Sequence, residues 1–165
     1  MLDAAGRARL EAAYREAGSS LWRAIFAYSG GLADIADEAV AEAFAQAGQR
    51  LDLIRDIKAW VHSAAFHIAN ELLRQRREAI SLDQITEPLA PAGSSQADFD
   101  LATELAAISH LLSPKQRMAF IMRGVLGYRT SETARLLDMS EVAVRVHLHA
   151  ARRRLRRVLH GSHDE

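Results

Sequence analysis

The stretch TSETARLLDMSEVAVRVHLHAARRRLRRVL, residues 130–159, decides the fold expected for this chain. It predicts a short helix, a tight turn and a second helix. Thr130 and Ser140 can cap the two helices, because their side-chain oxygens accept hydrogen bonds from unpaired backbone N–H groups. Asp138 falls in the turn and tolerates a left-handed backbone better than most residues, while Ala134 is small where the helices cross. The pattern is typical of a helix-turn-helix, whose second helix enters the DNA major groove.

The second helix combines an apolar stripe with a positively charged side. Such charge repels itself unless a polyanion relieves it. Arg145 is the best placed to read a base, because its planar guanidinium can bond O6 and N7 of guanine together. Taken alone, the helix fits a solvated basic helix about as well as a nucleic-acid-binding one. A hairpin inside an ordinary bundle would explain the apolar positions but not the arginines. The stripe consists of Val144, Leu148, Ala151, Leu155 and Val158, and Arg145, His149, Arg152 and Arg156 follow the same steps beside it.

An acidic segment separates two helical blocks. Residues 78–104 carry six acidic and no basic side chains, whereas 1–77 are balanced at ten each and 105–165 carry eleven basic and five acidic ones. Two of the three prolines and a Gly-Ser-Ser lie between residues 81 and 100, which is typical of a linker. Strand-like alternation does not occur. We therefore expect an all-α chain of two helical domains, 4–78 and 102–160, joined by a flexible acidic linker over 79–101.

Helical periodicity gives finer expectations for each block. In the first block we predict helices at 4–17, 20–29, 33–47 and 57–77, and in the second block four helices within 102–158. Ser113 and Gln116 form a capping box around Pro114, which marks a helix start. The inward residues of the third helix are Ile35, Ala39, Val40, Ala43 and Phe44, and those of the fourth are Ile57, Trp60, Val61, Ala64, Ile68 and Leu72. Trp22 and Trp60 are expected to be core anchors.

Composition argues against several functional classes. A net charge of zero disfavours a general nucleic-acid coat protein, and the absence of cysteine removes disulfides and thiolate metal sites. The spacings of His62 with His67 and of His147 with His149 put neither pair on one helical face, so we expect no metal and no cofactor. There is no glycine-rich phosphate loop and no nucleophile arrangement, so we do not expect an enzyme. Lacking a signal peptide or a membrane-length apolar run, the chain is expected to be cytoplasmic without membrane insertion.

Three stretches resemble consecutive landmarks of the extracytoplasmic-function class of bacterial sigma-70 factors. They are ADEAVAEAFAQA, DIKAWVHSAAFHIANELLRQRR and LLSPKQRMAFIMRGVLGYRTSETARLLDMSEVAVRVHLHAARRRLRR, corresponding to regions 2.2, 2.4 and 4. The most specific features are Leu-Ser-Pro, the Gly-Tyr before the helix-turn-helix and the Ala-Val-Arg that opens its second helix. The resemblance implies a dissociable initiation subunit that binds core RNA polymerase and directs it to promoters. Region 2 would then occupy 4–78 and region 4 would occupy 102–160.

The resemblance also implies roles for individual residues. An acidic helix would dock on the clamp helices of the polymerase largest subunit through Asp37, Glu38, Glu42 and Phe44. Residues 48–58 and the helix that follows would capture flipped bases of the melted −10 element, through Lys58, Trp60, His62, Ser63, Phe66, His67, Asn70 and Arg74. Region 4 would read the −35 element as duplex DNA, through Arg129, Thr130, Glu141, Arg145, Val146, His149 and Arg152. The acidic linker would match the segment that follows the RNA-exit path.

Several positions depart from the family pattern, and two other functions stay open. Ala41, His67, Asp138, His147 and Ala150 stand where the family usually has other residues, so an unusual promoter or weaker core binding would follow. A helix-turn-helix regulator would bind duplex operator without polymerase and as a dimer. An interaction protein would instead sequester polymerase or another sigma factor. The sigma factor itself is expected to be a monomer when not in a complex, with an anti-sigma factor as a further candidate partner.

Overall fold

A computed structural model describes residues 2–78 and 95–161, and every regular element within those ranges is helical. This confirms the all-α prediction. The predicted linker lies outside the described residues from 79 to 94. None of the helices in the described ranges is long and apolar enough to cross a bilayer. The elements are α1 (Ala4–Tyr28), α2 (Ala33–Gln49), a 3-10 turn (Leu51–Leu53), α3 (Ile57–Glu78), α4 (Gln96–Ser109), α5 (Pro114–Phe120), a π-helical turn (Ile121–Val125), α6 (Thr130–Leu136) and α7 (Glu141–Gly161).

The first helix runs without the break predicted between 17 and 20. Gly18 is buried, and a Cβ there would lie 3.4 Å from the Tyr14 ring, so the absence of a side chain suits close packing. The Ser20 hydroxyl donates a hydrogen bond to the carbonyl of Ala17 at 3.1 Å, so this polar group has a partner within the helix. Helical propensity is a weak preference, and the contacts of α1 with α2, α3 and α4 outweigh it.

The buried faces of α2 and α3 differ in how well the sequence predicted them. All five apolar residues assigned to the interior of α2 are buried, which confirms that face. On α3, Ile57 and Val61 are buried as predicted. However, the centre of the buried stripe is turned by about one residue, because α3 packs against α1 and α2 together. Residues Ala65, Phe66, Ala69 and Leu73 are buried, whereas Trp60, Ala64, Ile68 and Leu72 flank them half-buried.

The fourth helix begins earlier than predicted, at Gln96, so 96–101 are helical and not part of a linker. Its N-terminus is capped by the Ser95 hydroxyl, which accepts from the Asp98 backbone N–H at 3.1 Å. Phe99 lies against α1, with its ring centroid 5.7 Å from that of Phe26 and 6.4 Å from that of Trp22. Burial of this aromatic side chain explains why residues with an acidic, linker-like composition form a helix.

The helix-turn-helix follows a capped helix and a widened turn. The predicted capping box at the start of α5 is confirmed by reciprocal hydrogen bonds between Ser113 and Gln116. In the π-helical turn, the backbone N–H of Leu126 donates to the carbonyl of Ile121 at 2.9 Å, five residues back. Thr130 was expected to cap α6 but is its first residue. The side chain of Glu132 instead accepts from the Arg129 backbone N–H at 3.2 Å.

The turn between α6 and α7 has the geometry predicted for it. Asp138 adopts φ +53°, and Ser140 caps α7 by accepting from the Ala143 N–H at 3.0 Å. Ala134 is buried with Val144 and Leu148, which fixes the crossing of the two helices. The C-terminal block also packs on the N-terminal block, because one hydrophobic cluster contains buried residues of α1, α2, α3, α4 and the segment from α5 to the turn.

The left-handed backbone of Asp138 leads to a stability prediction. Glycine adopts this conformation without a Cβ penalty, so we expect Asp138→Gly to stabilise the fold by about 0.5–1 kcal/mol. We expect Asp138→Val to destabilise it by about 1–2 kcal/mol, because a β-branched residue is an outlier at positive φ. Urea denaturation followed by circular dichroism would measure both changes. Equal stability of the glycine and valine variants would show that the turn carries no such strain.

Candidate nucleic-acid interface

The second helix of the helix-turn-helix, α7, buries one side and presents the other to solvent. Val144, Leu148, Ala151 and Leu155 are buried in the C-terminal block, as the predicted stripe requires, whereas Val158 is 38% exposed. Arg145, His149 and Arg152 are exposed on the remaining surface. The helix therefore displays guanidinium and imidazole donors from a rigid, capped scaffold. Such a surface suits a polyanion.

An open groove of about 700 Å³ runs along this side of α7 toward the turn that precedes α5. It brings together several predicted residues, Arg145, Val146 and His149, with others that the sequence analysis did not assign. Among the unassigned residues, Val142 is 65% exposed, and valine methyls can contact the methyl group of thymine. Its i,i+4 spacing from Val146 on a helix could have revealed it. The further unassigned residues in the lining are Leu111, Gln116, Ala150, Arg153, Arg154 and Arg157.

The remaining −35 candidates cluster at the starts of α6 and α7. The Arg129 side chain is 87% exposed, with its Nε 4.0 Å from the Glu132 carboxylate. Thr130 is half-buried, and Glu141 is exposed in the first turn of α7, where a negative charge suits the helix dipole. Helix N-termini and exposed arginines are both typical contacts for phosphate oxygens.

The four polymerase-binding candidates on α2 differ in the exposure of their side chains and in the contacts that these make. Glu38 and Glu42 are exposed, and Glu42 accepts a hydrogen bond from Gln46 of the same helix at 2.8 Å. Asp37 accepts a hydrogen bond from the Trp22 indole N–H at 2.7 Å and so also fixes α2 on α1. Phe44 is 7% exposed, and its ring meets that of Tyr14 edge to face at 5.2 Å. Asp37 and Phe44 therefore contact α1, whereas Glu38 and Glu42 display negative charge to solvent.

The −10 candidates on α3 fall into an exposed and a buried group. Lys58 and His67 are exposed, with Lys58 3.4 Å from Glu16, and Arg74 forms an ion pair with Glu71. Trp60 and Ser63 are half-buried, and Asn70 accepts from the Tyr28 hydroxyl at 3.0 Å.

Two members of the −10 set are buried. Phe66 is fully buried, with its ring 5.4 Å from that of Tyr28, and His62 is 1% exposed. The structure therefore does not place Phe66 or His62 where a base could reach them, because both fill the interior of the packed helices.

Burial also changes the titration of His62. The pKa of His62 is lowered to about 4, because burial disfavours the imidazolium form and Lys58 adds to the effect, while Asp56 opposes it. Its Nδ1 is hydrogen-bonded to the hydroxyl of Tyr128, in the segment before α6. Among residues 2–78 and 95–161, no three His, Asp or Glu side chains are close enough to hold a metal ion.

Comparison with known families addresses the helix-turn-helix block. Residues 103–155 match the family described as sigma-70, region 4. The match covers 53 of the 165 residues. The match spans α5 to α6, the second half of α4 and most of α7, and it includes all residues that line the groove along α7 except Arg157.

The fold of the described chain also has a match among solved structures. It is similar to the crystal structure of the sigma factor RpoE from Bartonella quintana in complex with the anti-sigma factor NepR. The TM-score is 0.67 and the sequence identity is 21%, over 93% of this chain and 95% of that one. The comparison with curated proteins found no match. Region 4 and the shared fold together support the predicted sigma-70 factor and favour it over a regulator that acts alone.

Proposed function

We propose that the chain is an alternative sigma factor that binds bacterial core RNA polymerase, directs it to specific promoters and promotes their melting. The observation that carries the proposal is a region 4 whose second helix buries its apolar stripe and exposes Arg145 and His149. A sigma factor performs no chemistry of its own, so its contribution is binding energy toward DNA and polymerase.

In this proposal, region 4 binds the −35 element as duplex DNA. Arg145 lies in the groove beside Val142 and Val146, so one side of α7 offers a bidentate donor next to methyl groups. That combination can distinguish guanine and thymine edges in the major groove. The arginines further along α7 would contact phosphates, which gives affinity without sequence preference.

Residues 4–78 would form region 2 and act on the melted −10 element and on polymerase. Lys58, His67 and Arg74 offer polar and cationic groups along the exposed side of α3. Stacking and pocket contacts with unpaired bases contribute about 1–3 kcal/mol per base, which is comparable to the cost of extracting a base. Captured bases could therefore keep the strands apart.

Two further parts of the proposal concern partners and location. Because the similar RpoE was crystallised with an anti-sigma factor, we propose that an anti-sigma protein controls this chain as well. The proposed location is the cytoplasm, where polymerase and promoter DNA are found, and the uncomplexed protein would be monomeric.

Run-off transcription with purified core polymerase and genomic promoter fragments tests the proposed function. We expect discrete transcripts only when core and this protein are both present, from fragments that share −10 and −35 elements. Binding of duplex fragments without core, together with no transcripts, would instead identify an operator-binding regulator. Loss of transcription when the protein is added to another sigma factor would identify a sequestering protein.

The exposed glutamates of α2 give a separate prediction for core binding. Charge reversal by Glu38→Lys with Glu42→Lys should weaken core binding by at least about tenfold, because like charges placed across an interface repel. Asp37 is left unchanged, since its hydrogen bond to Trp22 also holds α1 and α2 together. Titration of labelled protein with core would measure the change. Glu104→Lys, at an exposed position of α4, is the matched control, and an equal loss in both proteins would refute a role for α2.

A further inference from the structure

A direct contact joins α3 of the N-terminal block to the first helix of the helix-turn-helix. The Nδ1 of His62 is hydrogen-bonded to the hydroxyl of Tyr128, and the two rings meet edge to face with centroids 5.3 Å apart. The adjacent Ser63 donates its hydroxyl to the backbone carbonyl of Leu136 in α6 at 2.8 Å. We call these four residues the clasp.

Other contacts hold the same arrangement elsewhere along the interface. Arg117 of α5 donates to the carbonyl of Tyr28 at the end of α1 at 2.9 Å, with its guanidinium carbon 5.2 Å from the centre of the Tyr28 ring. A salt bridge joins Arg23 of α1 to Asp98 of α4 at 4.0 Å. The two blocks are thus fixed to each other by side chains, not only by apolar packing.

This arrangement is incompatible with simultaneous contact to both promoter elements. Elements centred at −10 and −35 are separated by about 25 base pairs, or about 85 Å along a duplex at 3.4 Å per base pair. In the structure, Ser63, a −10 candidate, is hydrogen-bonded to Leu136, only nine residues before Arg145 in the chain. The two DNA-binding surfaces must separate before they can engage one promoter.

We propose that the packed arrangement is a self-inhibited state in which the clasp withholds α3 from −10 DNA, and that protonation of His62 opens it. The proposal rests on the proposed function, because it assumes that α3 and α7 contact different promoter elements. While the clasp is closed, His62 is buried and Ser63 is engaged by α6, so neither can contact a base. Opening would free both residues and allow α7 to move to its own element.

The hydrogen bonding of the clasp explains why a proton would weaken it. The pKa of Tyr128 is raised to about 12, mainly by burial and also by Asp56 and Glu132, so its hydroxyl keeps its proton and donates to a neutral imidazole. The Nε2 of His62 has no hydrogen-bond partner in the described part of the chain. An imidazolium would lose its acceptor at Nδ1 and bring a buried charge, whereas opening would hydrate both nitrogens.

The direction of the pH dependence follows from the two states. In the closed state the pKa of His62 is about 4, whereas an exposed histidine has the ordinary value of 6.5. Protons therefore bind the open state more tightly, and the closed state loses stability as the pH falls below 6.5. The charged groups around the clasp are Lys58 and Asp56 from the α3 side and Glu132 from α6. The opening constant should rise about thirtyfold between pH 7.5 and pH 5.

Distance measurements on the full chain test the clasp without polymerase. The chain has no cysteine, so Gln75→Cys on α3 and Ser131→Cys on α6, both exposed positions, allow two nitroxide labels to be attached specifically. Pulsed electron paramagnetic resonance then gives the distribution of the distance between the helices. We expect a short distance at pH 7.5 and a growing long-distance fraction at pH 5. In Tyr128→Ala the long distance should be present at both pH values.

Two matched variants make the outcome decisive. His62→Gln cannot take up a proton and should show no change with pH, and Tyr14→Ala removes a tyrosine that is 59% exposed on α1 and should behave like the parent protein. A distribution that stays the same at both pH values and in Tyr128→Ala would overturn the proposal. If the distances shift as expected but core polymerase yields no transcripts, the clasp stands and the proposed function fails.

Discussion

Phe66→Ala is expected to destabilise the folded protein by about 3–5 kcal/mol, because it would leave a cavity in the centre of the helical bundle. The side chain is fully buried and meets the Tyr28 ring edge to face at 5.4 Å and an interplanar angle of 73°. Such aromatic pairs add about 0.5–1.5 kcal/mol beyond the area they bury. Urea denaturation would measure the loss as a lower midpoint.

The same variant separates two roles for Phe66. If the ring stacked on a flipped base, Phe66→Ala would leave stability almost unchanged and weaken binding of −10 single strands in the complex with core. The matched control is His67→Ala, the neighbouring exposed residue, for which we expect a stability change within about 0.5 kcal/mol. If the Phe66→Ala protein were stable but bound −10 single strands more weakly, this result would support a DNA-binding role for Phe66.

Arg145→Ala is expected to cost about 1–3 kcal/mol of binding free energy at one position of the −35 element and to relax base preference there. The residue is exposed, lies in the groove along α7 and has buried neighbours that hold the helix in place. Transcription from promoters with single −35 substitutions would locate the affected position. Equal weakening of every promoter would show that Arg145 contacts the backbone and that sequence is read elsewhere.

Arg153 and Arg154 supply the matched comparison on the same helix. Both are exposed and line the same groove further along α7. If they bind phosphates, their replacement by alanine should weaken all promoters alike and reduce the slope of affinity against salt by about one unit for each arginine replaced. Binding to one promoter at two salt concentrations would distinguish this phosphate binding from base reading by Arg145.

Local patterns in the sequence were enough to predict most helices and the helix-turn-helix geometry. The caps at Ser113 and Ser140 and the left-handed Asp138 depend on residues within a few positions, and all three are present. Predictions that depended on tertiary contacts were less accurate. The break expected after residue 17 is absent, because α1 packs along its length against three other helices, and α4 begins at Gln96, because Phe99 packs against α1.

The candidate site was predictable on α7 and much less so on α3. On α7 the buried stripe and the charged side follow from helical periodicity alone. On α3, the burial of His62 depends on Tyr128, which is 66 residues away in the sequence. No local pattern shows that two such residues meet. The resemblance to sigma factors implied that His62 and Phe66 contact DNA, whereas here both side chains are buried against other parts of the chain.

The π-helical turn at Ile121–Val125 has a consequence for length variation in this part of the chain. It contains one surplus residue relative to a regular α-helix, and each residue of an α-helix turns the chain by about 100°. The wider turn absorbs this rotation, so deleting one residue there should restore α-helical hydrogen bonding with little rotation of Tyr128 and the segment that follows. A one-residue deletion at this turn would therefore leave the direction of the helix-turn-helix nearly unchanged, whereas the same deletion in a regular α-helix would rotate it by about 100°.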